Sequence, residues 1–378
     1  MKKIIGIYAL LLLALTGCQK DYKLNSSFSV PTQLNSPAPV QLDVTSTNLI
    51  TLSWTGGGAD DGGIVLYNVL FDKQGGDFSN PLATMKSDQG GLPQLSLTQA
   101  ALNTLARNAG IHPDETGTLQ WTVTAARGGV TRPCDQVATL TLTRGDGIDN
   151  IPTQLYLEGT AAETSGQAFR QVSDGVFQIY TRLTDGDITF KSATTGDAFD
   201  YYVDPEGKLT EGEGNTTVTT SGNNVARLTV DFNTMQMTRD VINPAVRCIW
   251  GATYANIAVL NYIGDGKFQG DGDIVFYGPG RPGTPDWCGW VEERYYFIAN
   301  VNGTDLCWGR GDDVSAERPV GGEPASFYAL YESPWTSKTQ WDHLWKMKGT
   351  LDETHATITI DTNADGLMIH TFTNVTPL

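Results

Sequence analysis

Charge is scarce in this chain, and positive charge scarcest. Only 18% of its 378 residues are charged, with 25 Lys+Arg against 42 Asp+Glu and a net charge of −17. A globular protein usually carries about 25% charged residues. A nucleic-acid backbone would meet carboxylates here with no basic stripe to offset them, which excludes nucleic acid as a partner. Histidine is rarer still: His112, His343, His355 and His370 share no ligand spacing. No CxxC, HExxH or GxSxG occurs, so zinc, metalloprotease and serine-hydrolase chemistry find no motif. Beyond the N-terminus no run approaches 18 apolar residues. What is plentiful is glycine (42) and aromatic surface, with 9 Trp and 14 Tyr, in a chain that is 40% hydrophobic. That composition suits a secreted β-protein meeting a neutral, polar ligand, with two or three domains at about 150 residues each.

Lys2 and Lys3 precede an apolar stretch from Ile4 to Leu15, a signal-peptide pattern too short to span a membrane. It ends in Leu15-Thr16-Gly17-Cys18, which resembles a bacterial lipobox and makes Cys18 the expected lipidation site. The expected order is signal peptide 1–17, anchor and tether 18–27, sandwich 28–143, linker 144–152, module 153–241 and long module 242–378. Four further cysteines remain, Cys134, Cys248, Cys288 and Cys307. In an oxidising compartment Cys288 and Cys307 are the expected bridge, with free buried thiols as the alternative.

The first block contains β-rich runs at regular spacing: 49–54, 65–71, 119–125 and 137–143. Their alternation and turn punctuation point to an immunoglobulin- or fibronectin-III-like sandwich with Trp54 and Trp121 in its core. One helix is expected from Thr98 to Ala109, with Thr98 as cap and Gly110 as stop. Arg144-Gly145-Asp146 reads as a linker turn.

The remainder repeats itself. Asp174-Gly175-Val176-Phe177-Gln178 matches Asp265-Gly266-Lys267-Phe268-Gln269, and Gly186 to Phe190 matches Gly272 to Phe276. Tyr201-Tyr202 matches Tyr295-Tyr296, and Leu228 to Asn233 matches Ile358 to Asn363. Blocks two and three are therefore expected to be copies of one β-sandwich module. The interval Tyr295 to Asp361 exceeds Tyr201 to Asp231 by about 36 residues, which places an insertion in the second copy. Seven of the nine Trps lie between 250 and 345, and the first copy has none.

An aromatic excess confined to extra chain suggests a surface platform or a small additional core. Sugar rings stack their C–H faces on Trp while their hydroxyls take amides, carboxylates and guanidinium groups. Trp335 heads the candidates, followed by Trp341, Trp287 and Trp290, with Arg281, Lys338, Gln340 and Asp342 as hydroxyl partners. Trp341 and Trp345 stand i, i+4 and would share a face of a short helix, either offered to ligand or anchoring it. Gly278 to Gly283 fits GxGxxG in letters only, because two prolines break it. Asp361 to Gly366 opens like an EF-hand loop but has Phe372 where Glu is needed, so a hairpin turn is the better reading. No metal, cofactor or catalytic residue is assigned. Glu292 and Glu293 are the one carboxylate pair to check for glycoside hydrolysis.

The lipobox, the tether opening Gln19-Lys20-Asp21, the run Tyr67 to Phe78 and the helix-containing stretch to Val123 resemble the SusE/SusF type of Bacteroidetes outer-membrane lipoprotein. The resemblance covers residues 1–143 and the module order beyond. It implies an N-terminal spacer and tandem β-sandwich modules that bind polysaccharide or oligosaccharide at the cell surface, beside a SusC/SusD-like transporter complex. It implies a non-catalytic function, with outer-membrane lipid held through Cys18. A glycoside hydrolase built on the last module and a protein-binding accessory of the transporter are the alternatives.

Overall fold

The computed structural model describes residues 24–145, 147–221, 225–311, 317–334 and 342–378. Cys18 lies outside them. The chain forms two compact units, Met1–Asp146 and Gly147–Leu378, and the boundary falls inside the turn-rich stretch 144–152.

The first unit contains β1 (Gln33–Asn35), β2 (Val40–Gln41), β3 (Leu49–Thr55), β4 (Leu66–Lys73), β5 (Ala83–Lys86) and β6 (Gln94–Thr98). Helix α1 (Gln99–Asn108) follows, then β7 (Thr116–Arg127), β8 (Val130–Pro133) and β9 (Ala138–Thr143). A three-stranded sheet, β1-β3-β6, faces a larger one ordered β2-β9-β7-β4-β5 with β8 beside β7. Alternation makes the sandwich. Leu52, Trp54, Leu95 and Leu97 point inward from one sheet, and Tyr67, Val69, Phe71, Trp121 and Leu140 from the other. Trp54 and Trp121 touch at 6.5 Å, so both are core. The Thr98 hydroxyl accepts from the Ala101 N–H at 3.1 Å, capping the helix where the sequence predicted it.

The second unit opens with β10 (Tyr156–Glu158), β11 (Gln167–Ala168), β12 (Arg170–Ser173), β13 (Val176–Arg182) and β14 (Gly186–Lys191). Next come β15 (Asp200–Val203), β16 (Leu209–Glu211), β17 (Thr216–Val218), β18 (Val225–Asp231) and β19 (Gln236–Val241). The second copy supplies β20 (Ala245–Trp250), β21 (Asn256–Gly264), β22 (Lys267–Ile274), β23 (Arg294–Val301) and β24 (Thr304–Gly309). It finishes with β25 (Tyr331–Pro334), β26 (Trp345–Lys346), β27 (Thr354–Ala364) and β28 (Leu367–Pro377).

The pairings correspond strand for strand. The first copy runs β19-β18-β13-β12 and β11-β10-β14-β15-β16, with β17 on β14. The second runs β28-β27-β22-β21-β20-β23-β24-β25, with β26 on β23. β11 and β12, broken at Phe169, thus stand where β21 runs unbroken. Two sequence matches fall in equivalent register: Phe177 faces Val230 as Phe268 faces Ile360. The Asp231 carboxylate accepts from the Asn233 N–H at 2.8 Å, and that of Asp361 from the Asn363 N–H at 2.9 Å, so both are hairpin turns.

The other two matches need correction. Gly272 to Ile274 end β22, the counterpart of β13, whereas Gly186 to Phe190 form β14. Tyr295-Tyr296 lie on β23, the counterpart of β14, not of the β15 strand that holds Tyr201. Buried aromatic alternation is generic to inward-facing strands and imitates register. The extra chain is consequently divided: 275–293 replaces 183–185, and the intervals between β24 and β25 and between β25 and β26 exceed their counterparts 204–208 and 212–215.

The two copies share one hydrophobic core. Tyr180 and Val225 of the first are buried with Trp250, Phe268, Trp308 and Trp345 of the second, and Tyr180 meets Trp308 edge-on at 5.7 Å. Arg227 reaches across to Glu332 at 2.6 Å while also holding Asp240 at 2.7 Å. The two copies fall within one compact unit with a shared core.

Candidate functional site

Cross-strand register collects the loops of the second copy. Trp250 ends β20 opposite Tyr295, Tyr295 faces Trp345, and Gly309 ends β24 opposite Tyr331. The loops leaving Trp250, entering Arg294, leaving Gly309 and entering Tyr331 therefore share one end of the sheet. This is the end where the extra chain accumulates.

The aromatic residues divide into two groups. Trp250, Trp308 and Trp345 are buried, the last two at 0% exposure. Trp345 lies on strand β26, not the helix that its i, i+4 spacing with Trp341 predicted, and its indole N–H donates to Phe327 O at 2.8 Å. Trp287 and Trp290 stay 46% and 43% exposed. Their rings meet at 5.8 Å with a 52° tilt. The Trp290 indole N–H donates to Glu292 Oε2 at 2.8 Å, which fixes the ring while its face stays in water. Glu292 also holds Arg294, and Glu293 pairs with Arg318 at 2.9 Å. Both carboxylates are buried. Each is paired with a guanidinium, and adjacent positions in extended chain face opposite ways.

Arg281, expected at a ligand hydroxyl, is 32% exposed and also braces its loop. It donates to Asp352 at 2.7 Å and to Phe276 O at 3.1 Å. Burial works against the Asp352 carboxylate, yet the bonds from Arg281 and the Phe276 N–H hold it below its usual range. Cys288 and Cys307 do not form the expected bridge: all four cysteines among the described residues are buried thiols outside any disulfide. The Cys288 thiol donates to Trp290 O at 3.3 Å inside its own turn. Cys307 packs on β24 with Ile249, Tyr296, Ile298 and Leu344. Trp335, Lys338, Gln340 and Trp341 lie outside the described residues, and Asp342 is half-buried at the edge of that interval.

A feature that Trp counting missed lies at the same end. Arg310, Gly311, Ser326, Phe327, Ala329 and Tyr331 line an open groove of about 460 Å³. Tyr331 is 56% exposed. A Cβ on Gly311 would approach the Tyr331 ring to 3.1 Å, so glycine lets the ring lie against backbone with its other face open. Arg310 sits 5.6 Å over the Phe327 ring. At this rim His343 Nδ1 meets Arg310 O at 2.8 Å. The sequence signal was Gly311 and Tyr331 bracketing a polar loop, too common a pattern to stand out.

Trp287, Trp290 and Tyr331 thus stay exposed at the end of the sheet that also holds the polar groove. Residues 19–124 match the family model described as SusE outer membrane protein. Over that segment the chain is similar to SusE-type outer membrane proteins. No curated protein matches the chain.

Proposed function

We propose that this protein is a non-catalytic glycan-binding lipoprotein, anchored through Cys18 and facing the cell exterior, that serves a SusC/SusD-like polysaccharide uptake system. The observation that carries the reading is the exposed Trp287–Trp290 pair on loop 275–293, which the first copy lacks. Two indole faces and the Tyr331 ring offer apolar planes to sugar C–H faces, and the groove beside Tyr331 supplies guanidinium and hydroxyl groups. Trp335, Trp341, Lys338, Gln340 and Asp342 belong to the same proposal. The ion-paired Glu292 and Glu293 favour binding over hydrolysis, since a glycosidase needs one carboxyl free to give its proton.

Binding is tested by affinity electrophoresis against a polysaccharide panel. Trp287→Ala with Trp290→Ala should weaken retention about tenfold to a hundredfold, or about 1–3 kcal/mol, with an unchanged melting temperature. Unchanged retention would remove the pair from the site. Reducing-sugar release would revive the hydrolase, and co-purification of a transporter without any glycan binding would favour the accessory. Cys18→Ala should move the protein from the membrane fraction to the soluble one, and a variant still in the membrane pellet would refute the anchor.

A further inference from the structure

A second groove runs along the seam between the two copies. One cavity of about 170 Å³ is lined by Gln167, Ala168, Tyr180, Lys267, Asp361 and Asn363, among others. Another, of about 340 Å³, is lined by Gln154, Tyr156, Arg170, Gln171 and Asp365, again with Ala168 and Asn363. Ala168 and Asn363 line both, so the two cavities adjoin as one polar trough crossed at those residues. One wall is β10 to β12 of the first copy. The other is the start of β22 and the β27–β28 turn of the second.

The trough is bridged where the two cavities meet. The Asn363 side-chain amide donates across it to Ala168 O at 3.0 Å. Tyr262 donates its hydroxyl to Glu163, and the Asp265 N–H reaches the same carboxylate at 3.1 Å, pinning the two copies together. Asp365 and Gly366 both take positive φ, 50° and 78°, as a tight two-residue hairpin turn requires. Walls fixed in advance reduce the ordering cost of binding.

Its chemistry selects a neutral ligand with many hydroxyls. Cations and carboxylates are both present, and Lys267 already faces Asp361 at 3.7 Å, so neither sign of ligand charge is favoured. The side-chain amides of Gln154, Gln171 and Asn363 donate and accept at once, as sugar hydroxyls do. Tyr156 adds a ring, its hydroxyl donating to Gln154 at 2.6 Å. Two buried atoms on the trough residues, Gln167 Oε1 and Arg170 Nε, have no hydrogen-bond partner. Such groups are costly to leave unmade and gain from a polar occupant nearby.

We infer that the seam is a second glycan subsite, formed jointly by both copies and working with the Trp287–Trp290 surface on one long chain. This rests on the reading of the protein as a glycan binder. It also gives the Trp-free copy a direct part in recognition. Two subsites on one chain raise affinity for a polymer above that for a short fragment.

The test uses the full chain in detergent with amylopectin, galactomannan, arabinoxylan and mixed-linkage β-glucan. Titration then follows with the retained polymer and its tetrasaccharide. Ala168→Trp fills the trough from an exposed position. It should lower polymer affinity about tenfold and reduce tetrasaccharide stoichiometry from two per chain to one. Gln154→Ala with Gln171→Ala, both at exposed positions, should weaken the polymer in the same sense, with circular dichroism confirming the fold. Full polymer affinity and unchanged stoichiometry in both variants would overturn the seam subsite. If Trp287→Ala with Trp290→Ala still loses binding in that case, the proposed function stands without the seam. The converse pattern keeps the seam and removes the Trp surface. Retention of none of the four polymers overturns both.

Discussion

The two copies of the module have the same strand order and differ in what their loops carry. In the copy at 153–241, short connections such as 183–185 return the chain directly to the sheet. In the copy at 242–378 the same positions hold loops 275–293 and 310–330, and with them Trp287, Trp290, Arg310 and Tyr331. The sheet must satisfy its backbone hydrogen bonds whatever its loops do, so strand pairing tolerates long insertions at strand ends. Function can then diverge without altering the ladder. The long copy also needs more core beneath its loops, which is where Trp308 and Trp345 are placed.

The sharpest way to break this contrast is to remove that extra core. Trp345→Ala leaves a cavity among Tyr295, Phe297 and His370, which surround it at 4.5 to 6.3 Å. A loss of about 3–5 kcal/mol is expected, read as a lower midpoint in denaturant. A near-wild-type midpoint would mean that the long copy's loops carry their own support.

Acid should separate the copies next. His370 is fully buried, and burial drives its pKa down to about 3. Its Nδ1–H donates to Tyr328 O at 3.0 Å, and its Nε2 accepts from the Tyr295 hydroxyl at 2.8 Å, a neutral tautomer. The unfolded chain takes up this proton near the ordinary value of about 6.5, the folded chain only near 3, so the contribution is present above about 6.5 and is lost as pH falls toward 3. About 3 kcal/mol should be gone by pH 4, at 1.36 kcal/mol per pKa unit. The copy at 153–241 contains no histidine. His370→Gln should flatten the slope of stability against pH, and an unchanged slope would place the acid response elsewhere.

The smallest effect compares the paired turns. Asp231→Ala and Asp361→Ala each remove a carboxylate that accepts a turn N–H, and each should cost about 0.5–1.5 kcal/mol. Similar thermal shifts from the two would support equivalent turns. A much larger loss at Asp361, whose Asn363 also spans the seam, would show that the turn holds the copies together as well.

Much of this was legible without coordinates. Period-2 runs located the strands of the first sandwich, Thr98 and Gly110 bounded its helix, and two of the repeat matches fell in true register. These signals are local: alternation, caps and turns are set by neighbours a few residues away. The other two matches failed because buried aromatic pairs recur on any inward-facing strand. Spacing put Trp345 on a helix, but β23 recruited it as a strand, an example of tertiary pairing overriding local pattern. The buried thiols, the Arg281–Asp352 pair and the Gly311–Tyr331 stack were equally invisible, since each depends on a partner distant in sequence.

The sequence by itself determined an all-β chain with an N-terminal sandwich, a duplicated module and a Trp excess in the second copy, because composition and periodicity act along the chain. Only the tertiary structure decided which aromatics became core and which stayed in water. It alone joined the two copies around Tyr180 and Trp308 and opened a polar seam between them. Those outcomes depend on which surfaces meet, and burial of apolar area is a property of the pair of surfaces, not of either strand.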